Sequence, residues 1–264
     1  INSVFLAISG GFQDAYTYNV RDEVFSNAQT GNVVLMSQNI MIGNFARGLY
    51  YLCPILAFIL GVAIANFIEY KYKYARKIHW RQGILIVEIL LLFMVGFIPY
   101  SLNMAATTLV SFSCAMQVQA FRRVNGYTYA STMCIGNIRS GTAAFSVFLR
   151  ERKKEQLIQA MHYFGIILFF ALGAGIGGNL SRIFGIKMIW TSCVILLISF
   201  FLRTAHEIHK LQPFQRFIRD DDLHIRYLHF IPKHIFDSIG VIVQTMLHAI
   251  IPKELLQTST KQTG

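Results

Sequence analysis

Between Phe45 and Ile68 the chain runs for 24 residues with a single charged side chain, Arg47. A helix of that length spans the roughly 30 Å hydrocarbon layer of a bilayer, for which about 17–25 predominantly apolar residues are needed. Gly83 to Pro99, Thr107 to Phe121, Gln159 to Leu180 and Met188 to Leu202 are almost as free of charge. Residues 1–18 resemble them. They are read as a first span and not as a cleaved signal peptide, because no basic leading segment or small-residue cleavage pattern precedes Gly10-Gly11 and the polar pair Gln13-Asp14 follows. Charged residues make up 14% of the chain, against roughly 25% in an ordinary soluble domain, so the expected class is an all-α integral membrane protein.

The formal net charge of +11 would suit nucleic acid, but its placement does not. Lys71, Lys73, Arg76, Lys77 and Arg81 fall in one loop, Arg150, Arg152, Lys153 and Lys154 in another, and Arg203, Lys210, Arg216 and Arg219 follow the last span. Lys and Arg concentrated beside span ends mark cytoplasmic loops on an anionic leaflet. The expected partner is therefore the lipid bilayer, with no nucleic acid. Cys53, Cys114, Cys134 and Cys193 all lie in apolar spans without CxxC spacing, and read as small buried residues, not disulfides or metal ligands.

A repeat organises the chain. A shift of 105 residues places Gly31-Asn32 on Gly136-Asn137, Asp14 on Gln119, and the Gly83 to Pro99 span on the Met188 to Leu202 span; a shift of 112 places Gly61 to Asn66 on Gly173 to Gly178. Each half, residues 1–100 and 104–204, holds a long helix, a short polar-headed segment, a second long helix and a third. If the short segments 28–42 and 132–148 both crossed the membrane, the repeat would be parallel and the two basic loops would lie on opposite faces, against the positive-inside rule. If both are half-helices, the halves are inverted and all the basic loops share one side. The expected architecture is the second: six transmembrane helices plus two short broken or re-entrant helices in an inverted 3+3 repeat, with N-terminus and tail cytoplasmic. Broken helices of this kind meet near the midplane in many secondary transporters.

The stretches GGFQDAYTY (Gly10 to Tyr18), VFSNAQTGNVVLMS (Val24 to Ser37), a Gly61-bearing span, MQVQAFRRVNG (Met116 to Gly126) and IGNIRSGT (Ile135 to Thr142) resemble the YoaK-like family of bacterial inner-membrane proteins. The resemblance covers roughly residues 1–204. It implies an inner-membrane location and about six spans, and no defined chemistry.

Non-helical backbone at membrane depth has to be buried in protein or line a cavity, which singles out Gln29, Thr30, Gly31 and Asn32. Gly31 permits a turn or a close approach, and Thr30 is placed to cap the short helix, whose N-terminal amides suit an anionic or polar group. A polar turn at the membrane surface is the plainer reading of the same residues. Gly136, Asn137 and Arg139 are their counterparts. Asp14 in the first span is a gating or coupling candidate, with Arg122, Arg123 and Arg139 as partners, because intramembrane ionisable groups face the interior and pair; a structural ion pair is the alternative. Gln117 and Gln119 point to different helix faces, so one of them is expected at a cavity. Glu88 reads either as a proton carrier or as a carboxylate reaching toward Arg81 or His79.

GAGIGG (Gly173 to Gly178) matches G-x-G-x-x-G by letters alone, without the strand that such a fingerprint requires. Gly173 with Gly177, and Gly61 with Ala65, are instead small-xxx-small spacings that bring helices close, and Pro54 is expected to kink its helix. His206, His209, His224, His229 and His234, beside Asp220 to Asp222, have no metal-binding spacing. No catalytic motif is present, and neither an enzyme activity, a metal nor a cofactor is expected. Residues 205–264 form a polar tail, with an amphipathic helix over Ile231 to Leu256. The functional expectation is a carrier of a small polar or anionic solute; the alternative is a non-transporting membrane scaffold whose tail recruits a partner. A homo-oligomer is left open.

Overall fold

The computed structural model describes the backbone of residues 2–73, 79–124, 127–129 and 131–219, with side chains for these except 123, 124, 127, 128 and 205–219. The chain divides into two units, Ile1–Phe200 and Phe201–Gly264. Of the second, the expected amphipathic helix Ile231 to Leu256, Asp220 to Asp222 and the histidines from His224 onward lie outside the described residues, as do the side chains of His206 and His209.

The described residues are almost wholly helical: α1 (Asn2–Val20), α2 (Gln29–Met41), α3 (Phe45–Tyr72), α4 (Trp80–Val95), α5 (Asn103–Ala120), α6 (Cys134–Glu151), α7 (Lys154–Phe184) and α8 (Ile189–Arg219). Between α5 and α6 a two-residue antiparallel ladder sets Arg123 against Thr128 and Val124 against Tyr127. The first four helices follow the expected order of long, short, long and third helix, whereas α6, expected to be short, has 18 residues, as many as α5 and more than the 16 of α4. At 1.5 Å per residue, the 13 residues of α2 extend about 20 Å, too short to cross. Helix α3 runs unbroken through Pro54.

Two helical stretches of the described residues, Phe45–Tyr72 and Lys154–Thr204, are long and apolar enough to cross a membrane. Leu49, Leu56, Ile59, Leu60 and Phe67 on α3, and Leu168, Leu172 and Ile176 on α7, are exposed. A band of large aliphatic side chains facing outward is unfavourable against water and neutral against lipid.

Helix α1 packs along α7, and α3 along α5. Both pairs depend on missing side chains. A Cβ at Gly11 would collide with the Phe170 carbonyl, one at Gly173 with that of Ile8, and one at Gly177 would sit 2.8 Å from the Phe12 Cα. At Gly61 it would meet Phe112 and the Ala115 Cβ. The small-xxx-small spacings thus join each long helix to the opposite half. Ile8 faces Gly173, Phe12 faces Gly177, and Arg182 Nε donates to Asn19 Oδ1 at 2.7 Å, so α1 and α7 are parallel. Asn66 pairs with Gln119 and Glu69 with Arg122, so α3 and α5 are parallel as well. Ser9 meets Ser192, and Asn2 meets Ser199, making α8 antiparallel to α1.

Arg21, fully buried, ties the end of α1 to the link between the halves. Its guanidinium donates to the Val95 and Ile98 carbonyls at 3.0 and 2.9 Å, to the Pro99 carbonyl at 3.3 Å, to Asn103 Oδ1 at 2.8 Å and to the Tyr16 hydroxyl at 3.0 Å. Carbonyls left unpaired at the end of α4 need donors, and the negative end of the helix dipole accommodates the cation.

Candidate functional site

The chain reverses where α1 ends. Asp22 and Glu23 take consecutive left-handed conformations, with φ of 62° and 60°, each costing a non-glycine residue about 1 kcal/mol or more. Asp22 recovers part of this through its contacts: Tyr50 Oη donates to Oδ2 at 2.7 Å, Asn103 Nδ2 to Oδ1 at 2.8 Å and Arg47 to its carbonyl at 2.9 Å. The chain then runs back alongside α1. Ser26 Oγ donates to Asp14 Oδ1 at 3.0 Å, the Asn27 N–H donates to the same oxygen at 2.7 Å, and Asn27 Nδ2 donates to the Gly10 carbonyl at 3.2 Å.

Helix α2 therefore begins about three turns deep, beside the middle of α5, where Gln29 Nε2 donates to Ser111 Oγ at 3.2 Å. It leaves by the side the chain came from: after α2, a turn at Gly43 (φ 81°) leads into the first turns of α3, whose Arg47 and Tyr50 hold Asp22. The second half does the same from the other end of the bundle. From Arg122, paired with Glu69 at 3.6 Å, the loop brings Ser131 beside Gln117 (3.1 Å) and Thr132 against Gly10. Helix α6 then returns along α7, with Gly141 under Tyr163 and Phe164, to the left-handed Arg152 (φ 54°) that precedes α7.

The residues preceding the two short helices thus converge on Gly10. Asn27 and Thr132 are 3% and 4% exposed, and Asn27 Oδ1 and Thr132 Oγ1 have no hydrogen-bond partner. A buried polar atom without a partner costs about 1–3 kcal/mol, and two of them at equivalent places in the repeat require a reason.

The residues expected to bind divide into groups. Asn32 is buried and its amide is fully used: Nδ2 donates to the Phe25 carbonyl at 2.7 Å and to Gln29 Oε1 at 2.9 Å, while Oδ1 accepts from the Phe25 N–H at 3.1 Å. Gln29 Nε2 also donates to the Ser26 carbonyl at 2.8 Å. The two side chains latch the loop onto the first turn of α2. Gly31 sits inside that helix, where the Phe25 ring lies 3.0 Å from a Cβ position, so close approach and not a turn is its use. Thr30 is exposed and does not cap; the cap position is Ala28, without a side-chain bond, and the Gln29 and Gly31 amides donate to the Asn27 and Ala28 carbonyls at 2.8 and 2.9 Å. Asn137 is buried, whereas Gly136 and Arg139 are exposed.

The expected pairing of Asp14 with arginine is not found among the described residues. Asp14 is bound by Ser26 and Asn27, Arg122 holds Glu69 at the bundle end, Arg139 faces outward, and the side chain of Arg123 lies outside the described residues. Of the two glutamines, Gln117 is the buried one, and Gln119 bonds Asn66 between α5 and α3.

Glu88 does not reach toward Arg81 or His79. It is fully buried between α4, α1 and α5. Gln13 Nε2 donates to Glu88 Oε1 at 3.4 Å and to Ser9 Oγ at 2.9 Å, and Cys114 Sγ donates to Gln13 Oε1. The Gln117 amide lies between Glu88 and Ser131 and is satisfied with its nitrogen toward the carboxylate: Nε2 donates to the Glu88 oxygens at 2.8 and 3.2 Å, and Oε1 accepts from Ser131 at 3.1 Å. Turned over, Nε2 lies 3.1 Å from the Ser131 hydroxyl and 3.4 Å from the Leu6 carbonyl, and Oε1 faces the carboxylate, acceptor against acceptor.

Ser26, Asn27, Ser131 and Thr132 escape attention when hydropathy and motifs are read. The signal for them is the same 105-residue shift, which carries Ser26-Asn27 onto Ser131-Thr132. A family model described as a protein of unknown function, DUF1275, matches residues 3–202. No curated protein and no solved structure matches.

Proposed function

The chain belongs to this family of unknown function, and we propose that it is a multi-pass membrane carrier that moves a small polar solute through the junction at Gly10. In this reading α1, α3, α4, α5, α7 and α8 span the bilayer, α2 and α6 are half-helices, and the halves are inverted. Three relationships support it. Helices α4 and α8, counterparts under the 105-residue shift, run antiparallel, since Phe93 meets Trp190 and Ile89 meets Cys193. Each short helix starts at depth and leaves by its side of origin. Lys71, Arg81 and Arg122 gather at the bundle end toward which α3 and α5 run, and this clustering, with Arg150 to Lys154, supports reading that end as the cytoplasmic one of a bacterial inner membrane.

The observation that carries the proposal is the pair of unpartnered buried atoms, Asn27 Oδ1 and Thr132 Oγ1, one from each half on either side of Gly10. A solute hydroxyl or amine completes both. An anion is a poorer guest, because the Asp14 carboxyl already lies beside Asn27, bound to its N–H. Gln29 and Asn32 keep the α2 loop in place.

The test is a thermal-shift screen of small polar metabolites on the protein in lipid nanodiscs, followed by uptake of any hit into proteoliposomes. The expected result is a compound whose stabilisation and uptake disappear in Asn27→Ala and Thr132→Val while the melting temperature without ligand holds. If no compound shifts the protein, and deletion of residues 205–264 removes a captured partner, the scaffold reading stands in its place.

A further inference from the structure

We propose that Glu88 is a proton-binding site whose occupancy is passed through the Gln117 amide and Ser131 to the loop that opens α6.

The geometry that points to it is the placement of the Gln117 amide, one end against the Glu88 carboxyl and the other against Ser131, so that the protonation of Glu88 decides which end faces it. When its Nε2 faces Glu88, both carboxylate oxygens accept, and Gln117 Oε1 takes the Ser131 hydroxyl proton. When its Oε1 faces Glu88, two acceptors oppose each other unless the carboxyl carries a proton; a protonated Glu88 then donates to Gln117, and Nε2 is released to Ser131 Oγ and the Leu6 carbonyl. The same heavy-atom positions hold both states, and gaining a proton at Glu88 reverses the direction of every hydrogen bond from there to Ser131. Ser131 immediately precedes Thr132, whose hydroxyl is one of the two unpartnered groups at Gly10.

The surroundings leave Glu88 without a competing charge. On α1 it faces the neutral Gln13; the titratable groups near it are the thiols Cys114 on α5 and Cys193 on α8. Asp14, the other buried carboxyl, is engaged by Ser26 and Asn27. No lysine, arginine or histidine pairs with Glu88 among the described residues. Ionisable residues inside a membrane bundle are rare and mark ion pathways and proton relays. As the coupling site of a carrier, this rests on the reading proposed above; as a proton site, it stands on the cluster alone.

Infrared spectroscopy of the protein in lipid, titrated in pH, tests it without any solute. The expected result is a carboxylic C=O band that vanishes as pH rises and is missing from Glu88→Gln. Hydrogen exchange of residues 131–137, corrected for the intrinsic pH dependence of exchange, should follow that band in the wild type. In Glu88→Gln, whose amide imitates the protonated acid, it should stay at the low-pH level throughout. Should Glu88→Gln not fold, Gln117→Leu provides the second arm, keeping the band while the exchange of 131–137 loses its pH response. A Glu88 that remains carboxylate wherever the protein is folded, or exchange that titrates unchanged in either variant, overturns the proposal. Asn27→Ala and Thr132→Val should leave the Glu88 band in place, so failure of the solute site and failure of the proton site are told apart.

Discussion

Asp14, on α1, receives the backbone N–H of Asn27 at 2.7 Å, so a carboxyl on one helix holds the segment that leads into the next. A buried backbone amide outside a helix or strand needs an acceptor. The segment before α2 can lie buried against α1 because α1 brings the acceptor to it.

Asp14→Ala strips both the Ser26 hydroxyl and the Asn27 amide of their acceptor. Each buried donor left unpaired costs about 1–3 kcal/mol, so the expected loss is about 3 kcal/mol, read as a lower denaturation midpoint in lipid or detergent. Asp14→Asn keeps an oxygen in place and should lose about 1 kcal/mol.

Arg21→Lys tests whether geometry or charge holds the link between the halves. An ammonium has three donors and no planar fork, so it cannot reproduce the bonds to Val95, Ile98, Pro99, Asn103 and Tyr16. The expected outcome is destabilisation by about 2–4 kcal/mol and faster proteolysis between Ile98 and Asn103. A lysine variant as stable and as resistant as the wild type would show that only the positive charge matters.

The helices and the short α2 were legible because Gly31-Asn32 and Gly136-Asn137 recur at a fixed spacing and the windows between them are apolar at helical length; the length of α6 was not, since its 18 residues equal those of α5. The four glycines and alanines of the packing stripes were legible for the same reason. Partners were not. Hydropathy states what it costs to bury Asp14 or Glu88, not which group meets it. The acceptor for the Asn27 amide is a residue 13 positions earlier, brought alongside by two left-handed residues that no propensity announces. Arg21 reads as an interfacial cation because it follows a span, yet it is fully buried, since the carbonyls it serves belong to α4, more than 70 residues away in sequence.

Glycines along α7 should separate by face. Gly173→Ala and Gly177→Ala place a methyl against the backbone of α1, at Ile8 and Phe12, whereas Gly175 has nothing within 4 Å of a Cβ. Where helices approach through small residues, an added methyl forces them apart. The first two substitutions are expected to lower the melting temperature by several degrees and Gly175→Ala to leave it unchanged, as measured by tryptophan fluorescence or differential scanning in detergent.

The re-entrant course of α2 and α6 is tested most directly by single-cysteine accessibility in sealed, oriented vesicles, on a background free of the four native cysteines. Glu23→Cys and Met41→Cys bracket the first polar loop and its half-helix; Arg122→Cys and Lys153→Cys bracket the second. The expected result is that positions 23 and 41 react with an impermeant maleimide from one face, and positions 122 and 153 from the opposite face. Labelling of 23 and 41 from opposite faces would mean that α2 crosses, and would contradict the junction at Gly10 on which the carrier proposal depends.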